Sequence, residues 1–137
     1  MKYKTMLRNN LRRFGNKVTS VWLNLKHRCQ RFYRGYSWVD ASEIDKYFIN
    51  TIKPMLCDMR DNHTSYPAEL TAEEWNDILQ EMIDLISHMD KDTVYQKFSG
   101  PNGEISAEQF AYAEQFVEEQ KTKFFEMFSK WFYYLWD

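Results

Sequence analysis

Two short stretches, LTAEEW at residues 70–75 and ISAEQF at residues 105–110, carry the same helix-starting chemistry. In each, a hydroxyl residue (Thr71 or Ser106) is placed to accept from the amide three positions on, while Glu74 or Gln109 reaches back to the amide of the hydroxyl residue. Apolar partners on either side, Leu70 with Trp75 and Ile105 with Phe110, complete a hydrophobic staple. Behind the first start, Ile78, Leu79, Met82, Ile83, Ile86 and Met89 return at helical spacing on one face, and the helix is expected to end near Asp90. Behind the second, the main stripe is Phe110, Ala113, Val117, Phe124, Phe128, Trp131 and Leu135, with Phe116, Met127 and Tyr134 forming another. That helix is expected to run from Ser106 nearly to the end of the chain.

The same period governs the rest. Leu7, Leu11, Phe14, Val18, Val21, Leu25, Cys29 and Phe32 make an amphipathic stripe that predicts a helix over roughly residues 3–33, with Gly15 as a possible break. After a turn at Gly35, Asp40 reads as an N-cap with Glu43 closing the box. The helix that follows, to about Asp61, has Ile44, Phe48, Ile52, Met55 and Met59 as its expected inner face, and Pro54 is expected to kink it. Residues 91–105, with SGPNG, read as a turn region. No stretch alternates as a strand would and no repeat is present. The expected fold is all-α: a single domain over residues 1–137, built as an irregular bundle of about four helices. Residues 1–36 form its basic arm and residues 37–137 its acidic body.

The charge is divided along the chain. Residues 1–39 hold ten Lys/Arg and no Asp/Glu, whereas residues 40–137 hold eight Lys/Arg and twenty Asp/Glu. Such asymmetry is compatible with nucleic-acid contact through residues 1–34, or with the arm packing on its own acidic body. Two cysteines in no CxxC pattern suggest neither a disulfide framework nor a zinc site. The longest apolar run, WFYYLW at residues 131–136, is too short to span a bilayer, and the basic start lacks the apolar core of a secretory signal. These features predict a cytoplasmic protein that does not enter membranes, with residue 1 as its mature start.

No catalytic motif anchors an enzymatic reading: P-loop, GxGxxG and HExxH are missing, and His27, His63 and His88 have no nucleophile at a recognisable spacing. No cofactor or metal is expected. Asp77, Glu81, Asp84 and His88 share a helical face, but about 180° from the apolar one at 100° per residue, on the solvated side. The strongest local cluster is RFYRGYSW at residues 31–38. Arg31, Arg34, Tyr36 and Trp38, with Tyr66 of the Tyr-Pro pair, are candidates to hold an anionic ligand, since guanidinium forks bind anions and aromatic faces stack on bases. Against that, Asp40 and Glu43 already sit at the next helix start, where Arg34 would pair with one of them. Trp131, Tyr133, Tyr134 and Trp136 are candidates for a partner interface, because an end so apolar all round predicts burial by another chain. A homo-oligomer is the expected state.

RGYS followed by Asp40 or Asp45, YPAELTAEEWNDILQEMI at residues 66–83, and KWFYYLWD at residues 130–137 together resemble a family of small uncharacterised proteins encoded by tailed phages and prophages. The likeness covers most of the chain after Arg34. Ser65 stands where the family pattern has glycine, and the basic arm has no clear counterpart. The resemblance implies a phage origin and carries no activity with it; that origin, with the missing catalytic motifs and the surplus of aromatics, leads to the expectation of a non-enzymatic binding role in host takeover or counter-defence, in the host bacterial cytoplasm. Blocking a host defence protein and sequestering a nucleotide second messenger are the two forms of that role. A virion or assembly component and a generic nucleic-acid-binding accessory protein are the competing expectations.

Overall fold

The computed structural model describes residues 19–136, and the start of the basic arm lies outside them. Among the described residues the fold is all-α, as the periodicity predicts. Helix α1 covers residues 19–34, followed by α2 (Trp38–Ser42), α3 (Ile44–Asn62), α4 (Ala72–Ser87), α5 (Lys91–Phe98), α6 (Ala107–Trp131) and a closing 3₁₀ turn, Phe132–Tyr134. The chain divides into two compact units, Met1–Ile44 and Asp45–Asp137.

In the first unit, α1 ends at Gly35, whose φ of 78° lets its amide turn back to the Arg31 carbonyl at 2.9 Å. A side chain at that φ would be strained, so glycine makes the turn cheaply. The next cap differs from expectation. Ser37, not Asp40, is the N-cap: its hydroxyl accepts from the Asp40 amide, and the Asp40 carboxylate accepts from the Ser37 amide at 2.6 Å. The box therefore starts three positions earlier, and Glu43 becomes the C-cap of a five-residue helix. The described part of the expected apolar stripe is exposed: Val21 at 68%, Leu25 at 59% and Phe32 at 85%.

In the second unit, both predicted capping boxes form. Thr71 accepts from the Glu74 amide and Ser106 from the Gln109 amide, each at 3.2 Å, and the return bonds from Glu74 and Gln109 are present. These starts aim α4 so that Trp75, Leu79, Met82, Ile83, Leu85 and Ile86 are buried. Burying each such side chain contributes about 1.5–3 kcal/mol. On α3 the inner face is turned from the predicted one. Ile49 and Leu56 are buried, Phe48, Ile52 and Met59 pack at the edge, and Ile44 and Met55 face solvent. The helix is continuous through Pro54. Phe48 reaches α6, where it meets Phe124, Phe125 and Phe128 with ring centroids 5.6–6.2 Å apart.

Helix α5 occupies part of the expected turn region, and the Gly100–Glu104 turn follows it. Val94 joins Ala113 and Val117 in a small second core, flanked by Tyr95, Phe98 and Phe116. A polar clamp closes beside it: Lys91 donates to the Glu114 carboxylate at 2.9 Å, and the Tyr95 hydroxyl donates to the same oxygen. The Tyr95 and Lys91 bonds hold the Glu114 carboxyl below its ordinary range, while the bond to Glu114 raises Tyr95.

The signs give a window. Glu114 favours the folded form above its unfolded titration, and that contribution is lost as pH falls through its lowered native value. Tyr95 favours the folded form below the ordinary tyrosine range, and its contribution is lost as pH rises through the raised native value. Amide exchange over α5, corrected for intrinsic rates, is therefore expected to be slowest between those limits. Glu114→Gln should accelerate it at neutral pH, and an unchanged α5 profile in that variant would remove the clamp from the account.

Candidate functional site

The sequence candidates fall into separate local settings. In the N-terminal unit, Arg31 spends its fork on Asp40. Its Nε lies 2.8 Å from one carboxylate oxygen and a terminal nitrogen 2.6 Å from the other. This bidentate pairing, reinforced by the Ser37 bonds, holds the Asp40 carboxyl well below the usual carboxylate range. Arg31, rather than Arg34, thus pairs with the acid of the next helix start. Arg34 is exposed and makes no side-chain hydrogen bond or ion pair among the described residues. Tyr36 and Trp38 are exposed, and the Trp38 amide is taken by the Gln30 side chain at 3.0 Å. Arg31 thus serves a capped helix start, and Arg34, Tyr36 and Trp38 present exposed side chains beside it.

A groove of about 800 Å³ runs beside this cap, lined by Thr19, Ser20, Asn24, His27 and Arg28 among others. Sequence reading did not single it out. Its polar residues recur at three- and four-residue intervals on α1, and that spacing was the available signal.

In the C-terminal unit, the Tyr-Pro pair and the C-terminal aromatics come together. Tyr66, Pro67, Tyr134 and Trp136, with Ser65 and Ala68, line a cleft of about 260 Å³. Its construction begins at the α4 capping box. The amide of Leu70 bonds to the Pro67 carbonyl at 3.0 Å, which folds residues 67–70 into a turn directly before Thr71. Pro67, at the start of that turn, is buried and Tyr66 is exposed beside it. The Tyr66–Pro67 bond is trans, since no cis peptide occurs among the described residues.

The opposite wall descends from the same helix start. Trp75, in the first turn of α4, packs edge-on against Trp131 at 5.6 Å, and Trp131 packs edge-on against Tyr134 at 5.8 Å. Lys130 sits over the Trp131 ring, 4.7 Å from its centroid. The buried pair therefore fixes where α6 stops and where the 3₁₀ turn delivers Tyr134. Trp136 and Tyr133 are exposed, Tyr133 most of all at 84%. Trp131 itself is buried, so of the four interface candidates it is a support and the other three offer surface.

The cleft is aromatic and, among the described residues, its lining includes no lysine, arginine or carboxylate. It suits a flat or apolar group better than a phosphate. Elsewhere Asp77, Glu81 and Asp84 are exposed, while the His88 ring lies edge-on to Phe116 at 5.6 Å, so these four do not converge. Among the described residues no group of three or more His, Cys, Asp or Glu is arranged to hold a metal ion. No helix of the described residues is long and apolar enough to cross a membrane.

No family model, curated protein or solved structure matches the chain.

Proposed function

We propose that this chain is a phage-encoded, non-enzymatic binding protein that acts in host takeover or counter-defence by masking a host protein with its aromatic cleft. The observation that carries the reading is the gathering of Tyr66 with Tyr134 and Trp136, which lie far from it in sequence, around one cleft supported from the core. Rigid aromatic side chains on a packed floor are the usual anchors of protein interfaces, because they contribute large contact area at small entropic cost. The resemblance of the Tyr-Pro stretch and the C-terminal motif to phage proteins supports the origin, with the host bacterial cytoplasm as the place of action. Blocking is favoured over sequestering an anionic nucleotide, since Arg31 is engaged by Asp40 and no cation lines the cleft among the described residues.

Trp136→Ala and Tyr66→Ala are exposed substitutions that leave the core intact. In co-purification from bacterial lysate followed by titration of the captured protein, Trp136→Ala is expected to weaken binding by about 2 kcal/mol, roughly 30-fold. A double variant that captures every partner at wild-type strength would overturn the reading. Calorimetric heat with cyclic nucleotides that survives the double variant would instead favour sequestration at another site.

A further inference from the structure

Helix α1 combines two features that water alone does not satisfy. Val21, Leu25 and Phe32 leave an apolar stripe exposed, with Trp22 and Tyr33 beside it. Lys26, Arg28, Arg31 and Arg34 stand on the same helix, and residues 1–39 offer no carboxylate to pair with them. Arginines at three-residue spacing repel one another on a helix surface. Arg31 has its charge met by Asp40 and Lys26 lies over the Trp22 ring, 5.7 Å from its centroid, whereas Arg28 and Arg34 make no ion pair among the described residues. A surface of this kind is stabilised by a partner that is acidic and partly apolar.

We propose that this partner is the C-terminal unit of a second copy of the chain. Charge complementarity supports that choice: residues 1–39 carry ten cations without an acid, and residues 40–137 carry twenty acids against eight cations. Two copies that exchange their N-terminal helices meet both imbalances at once, in a closed two-fold arrangement. The receiving unit has apolar surface to offer as well, since Met55 and Phe125 are exposed. Asp77 and Glu81 on α4 make no side-chain hydrogen bond or ion pair among the described residues, so their charge is open to an incoming cation. A nucleic acid would meet the cations and leave the stripe wet. The association described here rests on α1 and is independent of the aromatic cleft.

The test uses the full chain and two charge-reversed forms. One carries Lys26→Glu, Arg28→Glu and Arg34→Glu, with Arg31 spared because it holds the α2 cap. The other carries Asp77→Lys, Glu81→Lys and Asp84→Lys. All six side chains are exposed, and circular dichroism checks that each variant folds. At low ionic strength, light scattering is expected to give the wild type twice the 16.7 kDa mass of one chain, falling toward the single mass as salt is added. Each reversed form alone should give the single mass. Their equimolar mixture should regain the double mass, because the basic helix of one then faces the acidic unit of the other.

Restoration on mixing separates exchange between copies from contact within one chain. A wild-type mass of 16.7 kDa at every salt and concentration would overturn the proposal. So would a mixture that stays single, or a helix-reversed form that keeps the double mass. Binding to anionic phospholipid vesicles or duplex DNA without self-association would assign α1 to that surface instead and count against the second copy. Loss of dimerisation with cleft binding intact would leave the proposed function standing.

Discussion

Replacing Trp75 with alanine is expected to destabilise the C-terminal unit by about 3–5 kcal/mol, the cost usual for deleting a large buried ring. The side chain is fully buried, touches Trp131, and sits in the first turn of α4 where the staple with Leu70 sets the helix entry. Alanine would leave a cavity that two capped helices cannot close by shifting, since their starts are fixed by the Thr71 and Ser106 boxes. In thermal unfolding followed by far-ultraviolet circular dichroism, the midpoint should fall by about 10 °C or more. Trp75→Phe should recover a good part of the loss. A fall within about 1 kcal/mol for the alanine variant would mean that this ring is not part of the packed core.

Phe124→Ala should cost a similar amount, about 3–5 kcal/mol, for a different reason. Phe124 lies at the centre of a ring cluster, stacked on Phe128 at 5.4 Å and edge-on to Phe48 and Phe125. Its loss unpacks α3 from α6, so urea unfolding should shift its midpoint without changing the number of cooperative steps. Exchange protection should fall most in α3 and the middle of α6, while the Val94 core keeps relatively more of its own. Protection lost evenly along the chain would show that the two clusters in the C-terminal unit unfold as one.

Most of the helical framework was legible because local chemistry decides it. The Thr71 and Ser106 boxes require nothing beyond their own residues, and the α4 stripe is clean enough to name its buried face. The misreadings occur where local signals compete. Asp40 and Ser37 are both good caps, and the choice between them is made by Arg31, nine positions earlier, which draws the Asp40 carboxylate into a bidentate pair. At the start of helix α5 the Asp90 carboxylate accepts from the Thr93 hydroxyl rather than from a backbone amide, and the helix stands next to a glycine-proline turn, so its main support comes from packing on α6. On α3 the expected and observed faces share Phe48, Ile52 and Met59. The tilt that brings in Ile49 and Leu56 at the expense of Ile44 and Met55 is set by the neighbours rather than by the helix itself.

The candidate site divides in the same way. Tyr66 and the C-terminal aromatics could each be picked out by type, but their shared cleft depends on a contact between distant segments that no spacing rule encodes. Of the residues behind the anionic-ligand reading of 31–38, Arg31 also serves the helix cap through Asp40, a role its residue type does not distinguish from anion binding.

The descent from Trp75 through Trp131 to Tyr134 has a consequence for how this surface can change over generations. Substitutions at the floor of the cleft are paid for in folding, so selection holds those positions whatever the partner. Tyr66 and Trp136 stand at the cleft outside the packed interior, and replacing them costs the fold little. A lineage facing a partner that mutates to escape can therefore revise the rim residue by residue while inheriting the floor intact. The expected record of such a contest is a set of variants in which the capping box and the two buried tryptophans are constant and the two rim positions differ.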